Sequence, residues 1–288
     1  MIATCDFSLR HTIESGQPLT FYSDLYTGKL QDRLAYPTSK GRISLVFNRH
    51  TGSIRYDYGG SYTDASAGTE IRKRLGLNQN MKEIYGKINT DPFMERAIEE
   101  FHGLRITKSE PWEATICFVI SQFNNIKRIR GIINNLRHRF GESLADTHKF
   151  PTAEAIAAAN LQDIRSCGTG FRDRYIKKVA EEFSSSFNPD GLYSMKYETA
   201  KERLMELDGI GDKVADCILL FGYNKFEALP IDVWVKRVVE KAYFKGRKKI
   251  IRQIHEFSTE RWGKYRGYAQ QYIFHSGRIN KIGKNLER

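Results

Sequence analysis

Cysteine is scarce and widely spaced in this chain of 288 residues. The four cysteines lie fifty or more residues apart and form no Cys-x₂-Cys pair: Cys5, Cys117, Cys167 and Cys217. Zinc sites and iron–sulfur clusters usually take closely spaced cysteine ligands. We therefore expect no metal site, no cofactor and reduced, free thiols.

Long apolar runs are also missing. The run from Ala215 to Gly222 is interrupted by Asp216 and is far shorter than the ~20 residues that cross a bilayer. The stretch from Met1 to Asp6 lacks the basic start and apolar core of a secretory signal. We expect no signal peptide, no transmembrane segment and no membrane partner. The expected location is intracellular, in a prokaryotic cytoplasm or nucleoid or in a nucleus.

Acidic residues are outnumbered, with 34 Asp and Glu against 46 Lys and Arg, which gives a net charge of +12. Residues 234–288 contain 15 Lys and Arg and 4 Asp and Glu, so +11 of this excess lies there. This gradient is typical of a protein that meets a polyanion from its C-terminal side. A solvated basic face on a surface helix is the alternative.

The periodicity of the chain predicts two parts of different structure. Short β-branched and aromatic runs at 19–22, 33–36, 43–47 and 54–58 predict an antiparallel sheet. The pattern of residues 67–88 predicts two short helices with a break at Gly76. A third helix is predicted to begin with Asp91 as its cap and Pro92 in its first turn.

From Pro111 onward the pattern is almost wholly helical. The predicted helices are 111–121, 126–140, 152–159, 161–167, 171–183, 197–207, 213–221, 233–243, 249–261 and 268–276. The fold class expected is α+β. An N-terminal antiparallel sheet domain with short helices spans residues 1–98, and a mostly α-helical domain containing a helix-hairpin-helix spans residues 99–288.

The most informative stretch is that helix-hairpin-helix. A helical pattern ends at Leu207, residues 208–211 read Asp-Gly-Ile-Gly, and Asp212 is the predicted cap of a second helix. Backbone N–H groups at such a helix start suit a phosphate. Taken alone, a Gly-x-Gly turn is more often a plain connector between helices.

Two further features extend the motif: Lys213 in the first turn of the second helix, and Pro230-Ile231-Asp232 beyond its end. Leu-x-Gly-Ile-Gly-x-Lys-Val-Ala-Asp followed by Pro-x-Asp-Val resembles the signature of the helix-hairpin-helix, Gly/Pro–Asp DNA glycosylases. Lys-Val-Ala-Asp-Cys with Ala-Leu-Pro-Ile-Asp-Val is similar to the 8-oxoguanine DNA glycosylase/lyase branch. The resemblance covers roughly residues 5–276.

The resemblance implies a monomeric DNA repair enzyme that acts on double-stranded DNA containing an oxidised guanine. Lys213 would be the nucleophile that forms a Schiff base, with strand scission by β-elimination, and Asp232 would stabilise the developing oxocarbenium ion. The alternatives are a related glycosylase for another damaged base and a non-catalytic helix-hairpin-helix DNA-binding protein. The presence of both Lys213 and Asp232 argues against a non-catalytic DNA-binding protein, because phosphate binding requires neither residue.

The protonation of Lys213 limits this chemistry. A free lysine has a pKa near ~10.4, so about one in a thousand is neutral near pH 7.5, and Asp232 would raise that pKa. We therefore expect burial to lower the pKa of Lys213. Cys217, one turn later, faces the same side, and the family pairs such a cysteine with the lysine to distinguish the oxidised base. A small buried residue is the plainer interpretation of Cys217.

The resemblance also implies residues that recognise the base. Ser15-Gly16-Gln17 is similar to a family segment in which the glycine carbonyl reads the N7–H of the oxidised guanine. Gln270 and Phe274 lie at i and i+4 on one helix face, as a pair the family uses against the extruded base. Without the match further along the chain, an ordinary turn glycine is the preferred interpretation of Gly16.

Two loops resemble the segments that fill the duplex at the opposite base. Phe171 would be the wedge, and Arg172 would face the base left behind. The remaining members of this predicted group are Phe123, Asn124, Asn125 and Arg128. An asparagine cap and an ordinary core aromatic are the alternatives for these loops.

Contacts to DNA phosphate are predicted for one further group: Gly209, Ile210, Gly211, Val214 and Trp234. Three residues depart from the family pattern. Asp208 stands where proline is usual, Trp234 where many relatives have histidine, and Phe123 where eukaryotic members have asparagine. Phe123 leaves the preference for the opposite base open.

Overall fold

The N-terminal part is built on an antiparallel sheet. A computed structural model describes residues 1–17, 26–27, 31–144 and 147–282. The sheet has the order β1-β5-β4-β3-β2 and confirms the predicted antiparallel sheet, although the run at 19–22 lies outside the described residues. Its strands are β1 (Ile2–Ala3), β2 (Tyr26–Thr27), β3 (Gln31–Pro37), β4 (Gly41–Asn48) and β5 (Ser53–Gly60).

The sheet has one buried face because its side chains alternate between the two sides. Alternate residues of β4 are buried, and Leu45 on β4 lies opposite Leu34 on β3 and Tyr56 on β5. Helices α1 (Leu9–Glu14) and α2 (Asp64–Arg74) belong to the same apolar cluster. Their buried apolar residues are Leu9, Ile13, Ile71 and Leu75.

The rest of the described chain is mostly helical, as predicted, with helix ends displaced by a few residues. Asp91 caps α4 as predicted, since its carboxylate accepts from the N–H groups of Phe93 and Met94. A short hairpin of β6 (Ser143–Leu144) and β7 (Thr147–His148) interrupts the helices. The helices are α3 (Met81–Ile88), α4 (Pro92–Glu100), α5 (Pro111–Ser121), α6 (Ile126–Phe140), α7 (Ala153–Ala158), α8 (Leu161–Ile164), α9 (Asp173–Ser185), α10 (Tyr197–Met205), α11 (Asp212–Tyr223), α12 (Val233–Tyr243), α13 (Ile251–Trp262) and α14 (Arg266–Ile279).

Apolar packing forms two clusters, one on the sheet and a larger one among the helices. The first ends at Leu75 and the second begins at Met81. The domain boundary placed at residue 98 stays a prediction. Among the described residues, no helix is both long enough and apolar enough to cross a membrane.

A buried arginine joins the N-terminal segment to the helical part. Arg105 is buried, and its guanidinium donates to the carbonyls of Cys5 at 2.6 Å, Asp6 at 3.3 Å, Gly76 at 3.0 Å and Gln79 at 2.9 Å. Because each partner is a backbone carbonyl, one charge satisfies several buried acceptors from segments far apart in sequence.

We expect Arg105→Met to lower the free energy of unfolding by about 3 kcal/mol, because buried carbonyls would lose charge-assisted hydrogen bonds. Urea denaturation measures this change. The matched control is Arg252→Met on α13, where the exposed guanidinium lies 3.6 Å from Glu256 and the change should stay within ~0.5 kcal/mol. Equal unfolding midpoints for the two variants would contradict the role of Arg105.

Candidate active site

The hairpin between α10 and α11 contains a position that only glycine can occupy. Gly209 has a φ of +83°, and a Cβ atom there would lie 2.5 Å from Cγ of Tyr175. Gln122 donates from Nε2 to the Gly209 carbonyl at 3.0 Å. The turn is therefore fixed both to α9 and to the loop that follows α5.

The N-cap residue of α11 is Gly211, which has no side chain to cap the helix. In the part of the chain that the structure describes, no side chain accepts from the first N–H groups. The prediction that Asp212 is the cap is wrong, because Asp212 is the first helical residue and its carboxylate pairs with Lys201 Nζ at 2.9 Å. The uncapped N–H groups are available to an external anion. The phosphate contacts of the hairpin stay predictions: Gly209, Ile210, Gly211 and Val214.

Two helix starts bring Lys213 and Asp232 to the same cavity. Lys213 lies in the first turn of α11, and Asp232 is the N-cap of α12, where its Oδ1 accepts from the Val235 N–H at 2.7 Å. Both side chains line an inner cavity of about 90 Å³, together with Cys217. The carboxylate of Asp232 therefore both caps α12 and lines the cavity together with Lys213.

The charges around Lys213 decide its protonation. Burial lowers the pKa of Lys213, but interactions with Cys217 and Asp232 outweigh burial and the pKa is raised. The expected effect of burial is therefore present, but the expected net lowering of the pKa of Lys213 is wrong. Burial raises the pKa of Cys217 to about 11, and Lys213 opposes this effect. Burial also raises the pKa of Asp232, against the Val235 N–H and Lys213.

One wall of the inner cavity is the turn that contains Gly16. Its φ is +88°, and a Cβ atom there would lie 3.0 Å from Cδ1 of Ile126 and 3.5 Å from Cε1 of Phe274. Gln271 donates from Nε2 to the Ser15 carbonyl at 3.1 Å. The turn thus approaches α6 and α14 closely, and a larger residue at position 16 would have to displace them.

The facing wall carries a buried amide with an unsatisfied acceptor. Gln270 is 5% exposed and lines the inner cavity, and its Oε1 has no hydrogen-bond partner among the described residues. A buried acceptor without a partner costs about 1–3 kcal/mol, so a donor on a bound molecule would stabilise it. Phe274, one turn further along α14, lines the same cavity.

An outer cavity of about 390 Å³ lies next to the inner one and shares Gly16, Phe118, Lys213, Asp232 and Phe274 with it. A bound group could therefore extend from one space into the other past the lysine. The outer cavity is also lined by Ser121, Asn124, Asn125, Ile126, Lys127, Ile129, Trp234 and Arg278.

Two exposed phenyl rings stand on neighbouring loops. Phe123 is 93% exposed and has a φ of +48°, an uncommon conformation for a residue with a side chain. Phe171 is 55% exposed, and its ring centroid lies 6.4 Å from that of Phe123. A pair of exposed apolar rings, one on a strained backbone, is typical of a surface that meets another molecule.

The polar residues of these loops form internal contacts. Arg172 is 3% exposed and donates to the carbonyls of Gln122 at 2.9 Å and Phe123 at 3.3 Å. Asn125 caps α6 by accepting from the Arg128 N–H at 3.0 Å, and the Arg128 side chain is exposed. Asn124 donates to the carbonyl of Ile120 at 3.1 Å. Contacts of these side chains with an opposite base stay predictions.

Several lining residues were missed by the sequence reasoning. Arg278 follows Phe274 by one helical turn, so the spacing that indicated Gln270 and Phe274 could have indicated it as well. Phe118 carried no such signal, although its ring centroid lies 5.8 Å from Lys213 Nζ.

One cluster has the residue types of a metal site. Asp212, Asp216 and His255 place potential ligand atoms within 4.8 Å of one another. Lys201 Nζ lies 2.9 Å from Asp212 and 3.0 Å from Asp216, and Tyr197 donates to Asp216 at 2.6 Å. One ammonium group thus bridges the two carboxylates, and the cluster is an ion-pair network.

Comparisons with known proteins agree with this architecture. The model of a family described as HhH-GPD superfamily base excision DNA repair protein matches residues 116–264, more than half of the chain. The chain belongs to this superfamily.

Individual relatives align over most of the chain. It is 29% identical over 243 residues to a probable N-glycosylase/DNA lyase of Methanothermobacter thermautotrophicus, covering 76% of this chain and 77% of that protein. A solved structure of MBOgg1 in complex with a low affinity DNA ligand superposes with a TM-score of 0.86 at 27% identity, covering 96% and 94%. The apo-form of Clostridium acetobutylicum 8-oxoguanine glycosylase/lyase gives 0.82 at 25% identity, covering 93% and 92%.

The raised pKa of Lys213 predicts that imine formation with an abasic-site duplex accelerates as the pH rises through neutrality, because only the free amine attacks. Asp232→Asn removes a charge that raises this pKa, while asparagine still caps α12. We therefore expect the rising part of the pH profile to move to lower pH in Asp232→Asn. Borohydride trapping across a pH series measures the rate, and identical profiles would contradict the coupling.

Proposed function

We propose that this protein is an 8-oxoguanine DNA glycosylase with abasic-site lyase activity. The observation that carries the proposal is the inner cavity, where Lys213, Cys217 and Asp232 face the Gly16 turn and the unsatisfied amide of Gln270. The named relatives, an N-glycosylase/DNA lyase and an 8-oxoguanine glycosylase/lyase, support the same activity. We propose that one copy of the chain acts alone on double-stranded DNA inside the cell.

The base has to leave the duplex before it can react, because its glycosidic carbon is shielded in the stack. Extrusion costs a few kcal/mol, whereas stacking of a base on an aromatic side chain contributes about 1–3 kcal/mol per base. Phe123 and Phe171 provide two such rings beside the outer cavity. We propose that they enter the space that the extruded base vacates and so offset the cost of extrusion.

In the proposed reaction, the Lys213 amine attacks C1′ of the extruded nucleotide and the bond from C1′ to the base breaks. The electron pair leaves with the base, which takes up a proton. Asp232 stabilises the positive charge that develops at C1′. Loss of a proton from nitrogen and opening of the sugar give a Schiff base. Removal of a C2′ proton then expels the 3′ phosphate, and the strand breaks.

The Lys213 ammonium group has no free electron pair with which to attack C1′. It therefore has to lose a proton once the substrate is bound. Lys213 has a raised pKa because Cys217 and Asp232 oppose the effect of burial. Asp232, which lines the same cavity and acts on the charge of Lys213, is therefore the proposed acceptor of the ammonium proton, and burial already raises its pKa. A base filling the inner cavity would exclude water and strengthen this coupling. This half-buried pair also argues against a protein that only binds DNA, since partial burial of two charges is costly without a function.

We expect borohydride to trap a covalent adduct of the wild type with a duplex containing 8-oxoguanine opposite cytosine, and none with Lys213→Gln. Glutamine keeps most of the side-chain length but has no amine to form an imine. Gel electrophoresis of the adduct measures the result. Lys87→Gln on the exposed side of α3 is the matched control and should be trapped as the wild type is. A trapped Lys213→Gln adduct would place the nucleophile elsewhere.

We expect excision of 8-oxoguanine by the wild type to vary by less than about tenfold across the four opposite bases, a span of ~1.4 kcal/mol. A phenyl ring at position 123 stacks on any base but cannot accept from the cytosine amino group. Phe123→Asn should favour cytosine more strongly, and asparagine tolerates the positive φ at this position. Single-turnover kinetics on four duplexes measure the preference.

Phe123→Ala is the control for that experiment, because it removes the ring without adding a hydrogen-bonding group. It should slow excision to a similar extent with all four opposite bases. A wild-type preference of a hundredfold or more for cytosine would show that Phe123 has no part in discrimination.

A further inference from the structure

Arg278 brings a half-buried cation to the mouth of the candidate active site. It lies on α14 one turn after Phe274, and its guanidinium carbon is 5.3 Å from the centroid of the Phe274 ring. The same side chain lines the outer cavity together with Lys213, Asp232 and Trp234. Arg278 therefore lines the same cavity as Lys213, the proposed nucleophile, and the carboxylate of Asp232.

The guanidinium of Arg278 has unused donors. Its NH1 group donates to the Glu14 carbonyl at 3.2 Å. Among the described residues, Asp232 is the acidic group that acts on its charge, and it does so without a hydrogen bond. A guanidinium has five N–H donors. Burial lowers the pKa of Arg278 and Asp232 opposes this effect, so the site lacks the close counter-ion that a half-buried arginine usually has.

The geometry of the two cavities indicates which anion would bind here. If the extruded base occupies the inner cavity and its sugar reaches Lys213, the attached phosphates lie in the outer cavity. Lys213 is engaged in the reaction, and Lys127, the other lysine of the outer lining, has an exposed side chain. A guanidinium fork suits two phosphate oxygens at once.

We infer that Arg278 binds a phosphate next to the extruded nucleotide. The inference rests on the proposed function in one respect, since it requires that a nucleotide enters the two cavities. Trp234 beside it has an indole N–H but no charge, so Arg278 supplies the cation at this part of the mouth.

Binding at Arg278 would also act on the wall that faces the base. The NH1 atom that donates to Glu14 lies 3.5 Å from the point where a Cβ atom on Gly16 would stand. A phosphate on the remaining donors would therefore hold the Gly16 turn and the Phe274 ring in place from one side. Arg278 would therefore couple the binding of a phosphate to the positions of the Gly16 turn and the Phe274 ring, which line the cavity for the base.

A duplex carrying a tetrahydrofuran abasic analogue and a single neutral methylphosphonate tests this contact. The methylphosphonate is placed at the phosphate on either the 5′ or the 3′ side of the analogue, and fluorescence anisotropy measures affinity. For one of the two positions, the wild type should lose at least fivefold in affinity. Arg278→Gln should already bind the unmodified duplex at least fivefold more weakly and lose less than twofold more with the methylphosphonate.

Arg96→Gln, which removes an exposed arginine on α4, is the matched control and should keep the wild-type sensitivity to the methylphosphonate. Full sensitivity in Arg278→Gln would overturn the inference. So would wild-type affinity of Arg278→Gln for the tetrahydrofuran duplex with weaker binding of 8-oxoguanine DNA alone, because that result would assign Arg278 to the base.

Thermal unfolding of each variant separates a folding defect from a lost contact. If Arg278→Gln does not fold, Arg278→Lys decides, since it keeps a charge but has no fork. Its sensitivity to the methylphosphonate should fall below that of the wild type, and an unchanged value would overturn the inference. The tetrahydrofuran duplex has no base, so these outcomes do not depend on which base is excised. Failure of the wild type to release 8-oxoguanine would instead overturn the proposed function.

Discussion

A half-buried lysine ammonium requires a carboxylate close to it, and the candidate active site is arranged around this electrostatic requirement. Asp232 meets it from the N-cap position of α12, where the Val235 N–H already stabilises the carboxylate. Two helix starts therefore converge on one cavity, and each carries one charge of the pair. The consequence for Lys213 is a raised pKa. The proposed reaction has to reverse that protonation, so Asp232 both helps to keep the resting lysine charged and is the proposed acceptor of its proton.

The sheet-containing part contributes to this site through one turn, and long-range hydrogen bonds hold it there. Gln17 donates to the Arg105 carbonyl at 2.6 Å, and Gln271 holds the Ser15 carbonyl. Arg105 in turn binds carbonyls near the chain start. The Gly16 turn is thus fixed from both ends, while its lack of a side chain permits the close approach of Ile126 and Phe274. Rigid support of this kind is what a recognition surface for a planar base requires.

Residues that form the proposed duplex contacts are organised differently, since they hold one another through backbone carbonyls. Arg172 is buried against the carbonyls of Gln122 and Phe123, and Gln122 reaches the hairpin at Gly209. The hairpin and the two ring-bearing loops are therefore one connected unit. Phe123 stays exposed at a positive φ because its neighbours fix the backbone and leave the ring outside. Such a unit can meet DNA as a preformed surface.

The amino-acid sequence by itself determined which segments form helices and how the site residues are spaced along those helices. Helical periodicity predicted nearly every helix from α5 onward, and the one-turn interval from Lys213 to Cys217 placed both on one face, because these properties depend on neighbours within a few residues. Tertiary structure alone decided the surroundings of those residues. Lys201, remote in sequence, pairs with Asp212 and leaves Gly211 as the cap. The pKa of Lys213 rises because Asp232 and Cys217 outweigh burial, and Arg278 reaches the mouth through the crossing of α14 over the Gly16 turn. Coulomb interactions and desolvation depend on distances in space, and a linear pattern does not contain them.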